Sequence, residues 1–228
     1  MNSLAINLMT YQAEYLLPFV LKAVLPFVEE AHVIDTGSTD KTMEILKEIK
    51  TSYPFLEYEQ FDVQHLGRTW VDDAKNVALT ELLNKLRTKT KSEWILKIDD
   101  DEVFPDLTMQ DILDLEPPPD RLVYSCYFYH LEGDHILNPY YHRGFHPIRL
   151  LKNIPEITWE GNFGYEVVAY KGHRLSSRRY QGVRHPFLHV GELRTGIWKH
   201  DYRFHAPGHC GIPIPEEYRK YLPTKNKL

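Results

Sequence analysis

Glycine is absent from residues 1–30, and the two cysteines of the chain, Cys126 and Cys210, form no Cys-x-x-Cys spacing. The first absence weighs against nucleotidyl transfer, which calls for a glycine-rich phosphate loop near its first strand. The second leaves neither a disulfide framework nor a cysteine-based zinc site, and fits a reducing, cytoplasmic setting. Long apolar runs are missing as well. The most apolar stretch, residues 15–28, is interrupted by Lys22 and contains Pro18 and Pro26, short of the roughly 20 apolar residues that a membrane span requires. Neither a transmembrane segment nor a signal peptide is expected.

The charge is also small, net −5, but it is unevenly spread. Residues 1–120 carry 11 Lys and Arg against 23 Asp and Glu, residues 121–228 carry 16 against 9, and ten of the twelve histidines lie in the second part. An acidic half therefore adjoins a cationic, imidazole-rich one, either as two solvated surfaces or as a site for an anion. With 228 residues, 43% of them hydrophobic, the chain can close one substantial core, and a single domain is expected over 1–228.

Hydrophobic spacing predicts strands at 4–9, 31–34, 56–61 and 94–98, with helices within 11–28, over 43–49 and over 70–86. In the last helix Trp70, Val71, Ala74, Val77, Ala78, Leu82 and Leu86 recur at three and four residues as an amphipathic face. This alternation predicts an α/β fold, a mostly parallel sheet flanked by helices. Glu116-Pro117-Pro118-Pro119-Asp120 is a stiff connector between halves 1–115 and 120–228. Beyond it, β-rich segments are predicted at 122–130, 148–151, 165–170 and 183–190.

Ligands of such sheets bind beyond the carboxyl ends of the strands, where Asp35 and the run Asp99-Asp100-Asp101-Glu102 emerge. Four adjacent carboxylates repel one another, so either a cation sits among them or the run is a solvated loop. Oxygen ligands favour a hard ion such as Mg²⁺ or Mn²⁺. A phosphatase reading of Asp35-Thr36-Gly37-Ser38-Thr39 fails, because Gly37 stands where a second aspartate is needed.

Val33-Ile34-Asp35-Thr36-Gly37-Ser38-Thr39-Asp40-Lys41-Thr42 resembles the V-V-D-T-G-S-T-D-x-T signature of family 2 glycosyltransferases. Residues 72–79 resemble the A-R-N-x-A-L segment of that family, and 94–102 resemble W-I-L-x-L-D-A-D-E, in the same order. Looser likenesses follow. Arg149-Leu150-Leu151-Lys152-Asn153 is similar to R-L-F-R-N. Residues 161–166 are similar to G-x-x-H-E, one residue longer and with Tyr165 in place of histidine. Leu188-His189-Val190-Gly191 is similar to H-x-G-Y, with Glu192 at the tyrosine.

The resemblance implies a GT-A-type, Rossmann-like fold with a nucleotide-binding first half and a β-rich acceptor side. It implies transfer of a hexosyl or pentosyl group from a nucleotide diphosphate sugar, a UDP-sugar, to an acceptor hydroxyl, with inversion and with Mn²⁺ or Mg²⁺. On it, Thr10 and Asp35 contact the nucleoside, Asp99 and Asp100 line the nucleotide-sugar site, Asp101 and His189 bind the metal, and Glu166 is the base. Rival readings are Asp35 as a cap of the Gly37 turn, Glu160 as the base, and His189 as a satisfied buried group. Arg68 or Lys75 either adds a positive charge at the diphosphate or is a surface cation.

Two other functions stay open: a nucleotidyltransferase on a similar sheet, and a non-catalytic sugar- or nucleic-acid-binding module on the same fold. Residues 171–185 hold seven Lys, Arg and His, more than one diphosphate needs. An anionic acceptor is expected, a phosphorylated glycan or a lipid phosphate, with nucleic acid least supported by the net charge.

Overall fold

A computed structural model of the chain describes residues 1, 3–66, 73–132, 135–136, 147–162, 165–175, 183–190, 212–213 and 215–222. Residues 4–10 are almost continuously apolar and form β1 (Leu4–Thr10), buried along its whole length, as a parallel strand covered on both faces must be. Helix α1 (Leu17–Val24) has Pro18 in its first turn, where a missing N–H breaks no intrahelical bond. There follow β2 (Glu30–Asp35), α2 (Thr42–Ser52), β3 (Leu56–Gln60), α3 (Asp73–Lys89), β4 (Trp94–Asp99), β5 (Glu102–Val103) and α4 (Asp106–Leu113). The second half adds β6 (Val123–Ser125), β7 (Phe128–Glu132), β8 (His135–Ile136), β9 (Ile148–Lys152), β10 (Ile157–Asn162), β11 (Tyr165–Tyr170), β12 (His173–Arg174), β13 (Phe187–His189), β14 (Ile212–Pro213) and α5 (Glu216–Arg219).

The main sheet has the order β3-β2-β1-β4-β9-β6. Strands β3, β2, β1 and β4 are parallel, while β9 runs antiparallel to both β4 and β6. This is the mostly parallel α/β sheet that the sequence predicts. The chain moves outward from β1 to β3 and then returns to place β4 on the other side of β1. The strand order therefore reverses at β1, and the carboxyl ends of β1, β2 and β4 meet where such sheets bind ligands.

Both faces of the sheet are covered. On one, Ile6, Leu8, Trp94, Leu96 and Ile98 pack with residues of α1 and α4. On the other, Met9, Ile34 and Ile95 pack with Leu79, Leu83 and Leu86 of α3 and with Trp159 and Val168 of the β10–β11 hairpin.

Helix α3 departs from its predicted face. Val77, assigned to the apolar side, is 54% exposed, whereas polar Asn76 and Thr80 are buried. The cause is the hairpin. Gly161 of β10 comes so near that a Cβ built on it would lie 2.0 Å from Asn76 Oδ1 and 3.1 Å from Thr80 Oγ1. One turn further along, the Asn84 amide donates to the Trp159 carbonyl and accepts from the Trp159 N–H, each at 2.9 Å. The buried stripe is thus partly polar and turned away from the one that hydrophobicity alone selects.

Two predicted strands are also shorter. Segment 122–130 breaks around Cys126 because the chain there leaves the main sheet at β6 for a second sheet at β7, ordered β14-β8-β7-β13-β5. Segment 183–190 is strand only over Phe187–His189, since Pro186 has no N–H to give a ladder. In the second sheet β13 lies parallel to β7 and antiparallel to β5, with His189 opposite Glu102. Among the described residues no helix is long and apolar enough to cross a membrane.

Candidate functional site

The polar side chains of residues 35–42 lace the ends of β1 and β2 together. The Thr36 N–H and hydroxyl donate to the Thr10 carbonyl at 2.9 and 3.1 Å. Ser38 Oγ accepts from the Gln12 N–H at 2.7 Å, Thr42 Oγ1 from the Ala13 N–H at 2.9 Å, and Asp40 Oδ2 from the Glu14 N–H at 3.1 Å. Gln12, with a φ of 51°, completes the lacing by accepting from the N–H groups of Thr39 and Asp40. Gly37 has a φ of 108°, and a Cβ there would lie 2.8 Å from Asp62 Oδ1, so the turn takes only glycine.

Asp35 is 0% exposed. Its carboxylate accepts from the Gly37 N–H at 3.2 Å, the Ser38 N–H at 2.9 Å, the Gln60 amide at 2.7 Å and the Ser38 hydroxyl. Of the two readings that the sequence leaves open, this geometry is that of a turn cap.

The acidic run at the end of β4 is divided among three kinds of partner. Lys97, buried in β4, donates to Asp99 Oδ1 at 2.6 Å. Arg149 of β9 donates to Asp99 Oδ2 at 2.9 Å and also to Glu102. Burial raises the Asp99 pKa, but Lys97 and Arg149 outweigh it and hold the carboxyl well below the usual carboxylate range. At Glu102 burial prevails over Arg149, and the charges of Asp99 and Asp101 assist it, so that this carboxyl is pushed up to about 7. Asp100 is buried too, and its Oδ2 accepts from the Thr10 hydroxyl and the Tyr11 N–H, both at 2.9 Å. Thr10 and Asp100, both expected at the nucleotide, thus fasten β4 to β1.

Asp101 meets His189. Their Oδ2 and Nε2 atoms are 3.8 Å apart, with side chains 12% and 31% exposed, and the Val190 N–H donates to the Asp101 carbonyl at 2.7 Å. A carboxylate oxygen with an imidazole nitrogen suits a cation such as Mn²⁺. Among the described residues no group of three or more His, Cys, Asp and Glu is arranged to hold a metal. Among the described residues, Asp101 and His189 offer an ion two protein ligands, with water or phosphate oxygens to fill the rest of its shell.

Lys75, with surface cation as one of its two readings, is instead 8% exposed. Its amino group donates to Gln64 Oε1 at 2.8 Å and lies 6.0 Å from the centre of the Tyr11 ring, while the Gln64 amide donates to the Thr36 carbonyl at 2.8 Å. Arg68, Arg178 and Arg179 lie outside the described residues. Glu166 holds the register position opposite Gly161, and Glu160 that opposite Val167. Lys171, His173, Arg174 and Arg184 are exposed, and His185 Nδ1 lies 2.8 Å from Asp111 Oδ2. Cys126 is a free, buried thiol whose pKa burial pushes up to about 12. Sequence reasoning missed Lys97 and Arg149. The signal for the first was a charge interrupting an apolar strand; for the second it was the likeness of residues 149–153 to R-L-F-R-N, which marks Arg149 but not its partners 47 and 50 residues away.

A family model described as "Glycosyl transferase family 2" matches residues 6–174. No curated protein matches the chain. Among solved structures, TarS 1-349 of S. aureus is similar at 19% identity over 57% of this chain and 37% of its own, with a TM-score of 0.45. A second S. aureus TarS structure gives 15% identity, 66% and 28% coverage and a TM-score of 0.49. The mannosyltransferase PcManGT from Pyrobaculum calidifontis, in complex with GDP-Man and Mn²⁺, gives 17% identity, 55% and 35% coverage and a TM-score of 0.40. The chain spans about a third of the length of these structures.

Proposed function

The chain belongs to glycosyl transferase family 2, and from that premise we propose that it moves a hexosyl or pentosyl group from a UDP-sugar to an acceptor hydroxyl, with inversion and with a divalent metal. The observation that carries this reading is the meeting of Asp101 and His189 where the ends of β1, β2 and β4 converge. Asp101 and His189 would hold the ion, which when bound supplies Lewis-acid stabilisation to the departing diphosphate. Lys75, buried beside Tyr11 and Gln64, brings a fixed positive charge to the nucleotide side. Thr10 and Asp35 serve the nucleoside chiefly by fixing the backbone of the laced turn. Glu166 takes the proton of the acceptor hydroxyl as that oxygen attacks the sugar carbon from the side opposite the diphosphate.

The two halves work as one domain in this reading, supported by β9 and β6 completing the sheet begun by β1 to β4. A cytoplasmic setting is supported by the free thiol of Cys126. Thermal unfolding with UDP and GDP, with and without Mn²⁺, tests the proposal, because a ligand of the folded state alone raises its stability by mass action. Stabilisation is expected to need nucleotide and metal together. Equal stabilisation in the presence of a chelator would overturn the metal requirement, and no stabilisation by any nucleoside diphosphate would overturn the donor reading.

For the acceptor we propose an anionic group, supported by the exposed cations Lys171, Arg174 and Arg184. The Michaelis constant for such an acceptor should rise steeply with salt, as phosphate contacts release counterions. A salt-independent constant with a neutral acceptor, unaffected by replacing Arg178 and Arg179 with alanine, refutes this.

A further inference from the structure

Lys97 and Arg149 place two positive charges inside a site whose expected ligand is itself a cation. Neither is a loosely placed surface group. Lys97 is 1% exposed, where a lysine is rare unless paired, and its amino group lies 2.6 Å from Asp99. Arg149 reaches both Asp99 and Glu102, the residues at the two ends of the acidic run. Its guanidinium also lies 5.8 Å from the centre of the Phe187 ring, and Phe187 shares β13 with His189. The two segments that carry Asp101 and His189 therefore both rest on Arg149.

The carboxyl groups of Asp99, Asp101 and Glu102, gathered within one turn, would form a ready-made hard-cation site. Ion-pairing Asp99 and Glu102 with the protein's own cations leaves a metal ion facing far less net negative charge. A diphosphate supplies what is then lacking. Resting on the glycosyltransferase reading, we infer that Arg149 and Lys97 are positioning residues that neutralise Asp99 and Glu102, keep the bare site weak for metal, and so make metal binding depend on the donor diphosphate. Coupling of this kind is reciprocal: the factor by which diphosphate tightens the metal equals the factor by which the metal tightens diphosphate.

The test titrates the full chain with Mn²⁺, following the electron paramagnetic resonance of the free ion, with and without UDP. It compares the wild type with Arg149→Gln, Lys97→Met and Arg149→Lys. Wild type should bind Mn²⁺ weakly alone and about tenfold or more tightly with UDP, within the roughly 5- to 150-fold span of typical couplings. Arg149→Gln and Lys97→Met should bind Mn²⁺ alone about tenfold more tightly than wild type and lose most of the UDP effect, about 1.4 kcal/mol. Arg149→Lys, which keeps the charge, should stay near wild type. Unchanged or weaker Mn²⁺ affinity in the charge-removing variants overturns the inference, as does a wild type that holds Mn²⁺ equally well with and without UDP. If one variant does not fold, the other variant and the wild-type ratio decide. A wild type that binds no Mn²⁺ even with UDP overturns the metal requirement of the proposed function, a different failure from the first two.

Discussion

Asp101→Asn is expected to lower sugar transfer by about a thousandfold or more, while the ligand-free protein unfolds at nearly the wild-type temperature. Lewis-acid stabilisation of a leaving diphosphate is worth several kcal/mol, and each 1.4 kcal/mol or so of it is about tenfold in rate. Asparagine keeps the size of the side chain but loses the charge that binds the ion. It also leaves intact the backbone bond by which the Asp101 carbonyl accepts from Val190, so the turn should survive the change. Removing one charge from a crowded acidic run relieves repulsion, which further protects the fold. Circular dichroism, thermal unfolding and a transfer assay with added Mn²⁺ measure the two effects separately. Full transfer by the variant, or transfer insensitive to a chelator in the wild type, would remove Asp101 and the metal from the mechanism together.

The second large effect is expected at the acceptor side. Glu166→Gln should lower transfer by roughly 10² to 10⁴, the usual worth of a positioned base, without weakening UDP binding. Its rival, Glu160, stands one register step away: Gly161 is opposite Glu166 and Glu160 is opposite Val167. Neighbouring positions of a ladder alternate between its two faces, so the two glutamates are not interchangeable, and parallel variants should differ clearly. Near-normal transfer in Glu166→Gln together with a large loss in Glu160→Gln moves the base to Glu160.

The order of the elements was legible because parallel strands buried on both faces are nearly continuously apolar, as in Leu4 to Met9 apart from Asn7 and in 94–98 apart from Lys97. What spacing could not convey was which polar residues those elements would bury. Val77 was assigned inward by its period, yet the hairpin at Gly161 brings Asn76 and Thr80 inward instead. The acidic run shows the same limit in the site. Repulsion among four neighbours along the chain is visible in sequence, but relief by Arg149, from a strand 50 residues on, is not. The Asp35 turn was legible as a motif and open as to role, since an aspartate before glycine suits both a ligand and a cap. The bonds from Gly37, Ser38 and Gln60 show the cap, which spacing alone does not.

Strand β9 lies beside β4, with Leu151 opposite Ile95 and Leu150 opposite Leu96. The segment that carries the acidic turn is thus flanked on one side by a strand made early and on the other by one made more than fifty residues later. While the chain is being synthesised, β4 can pair with β1 but keeps an open, strongly apolar border until β9 emerges. An unpaired edge of this kind invites association with other chains. A fragment ending at the triple proline would keep that border permanently, so the acidic half is poorly suited to exist by itself.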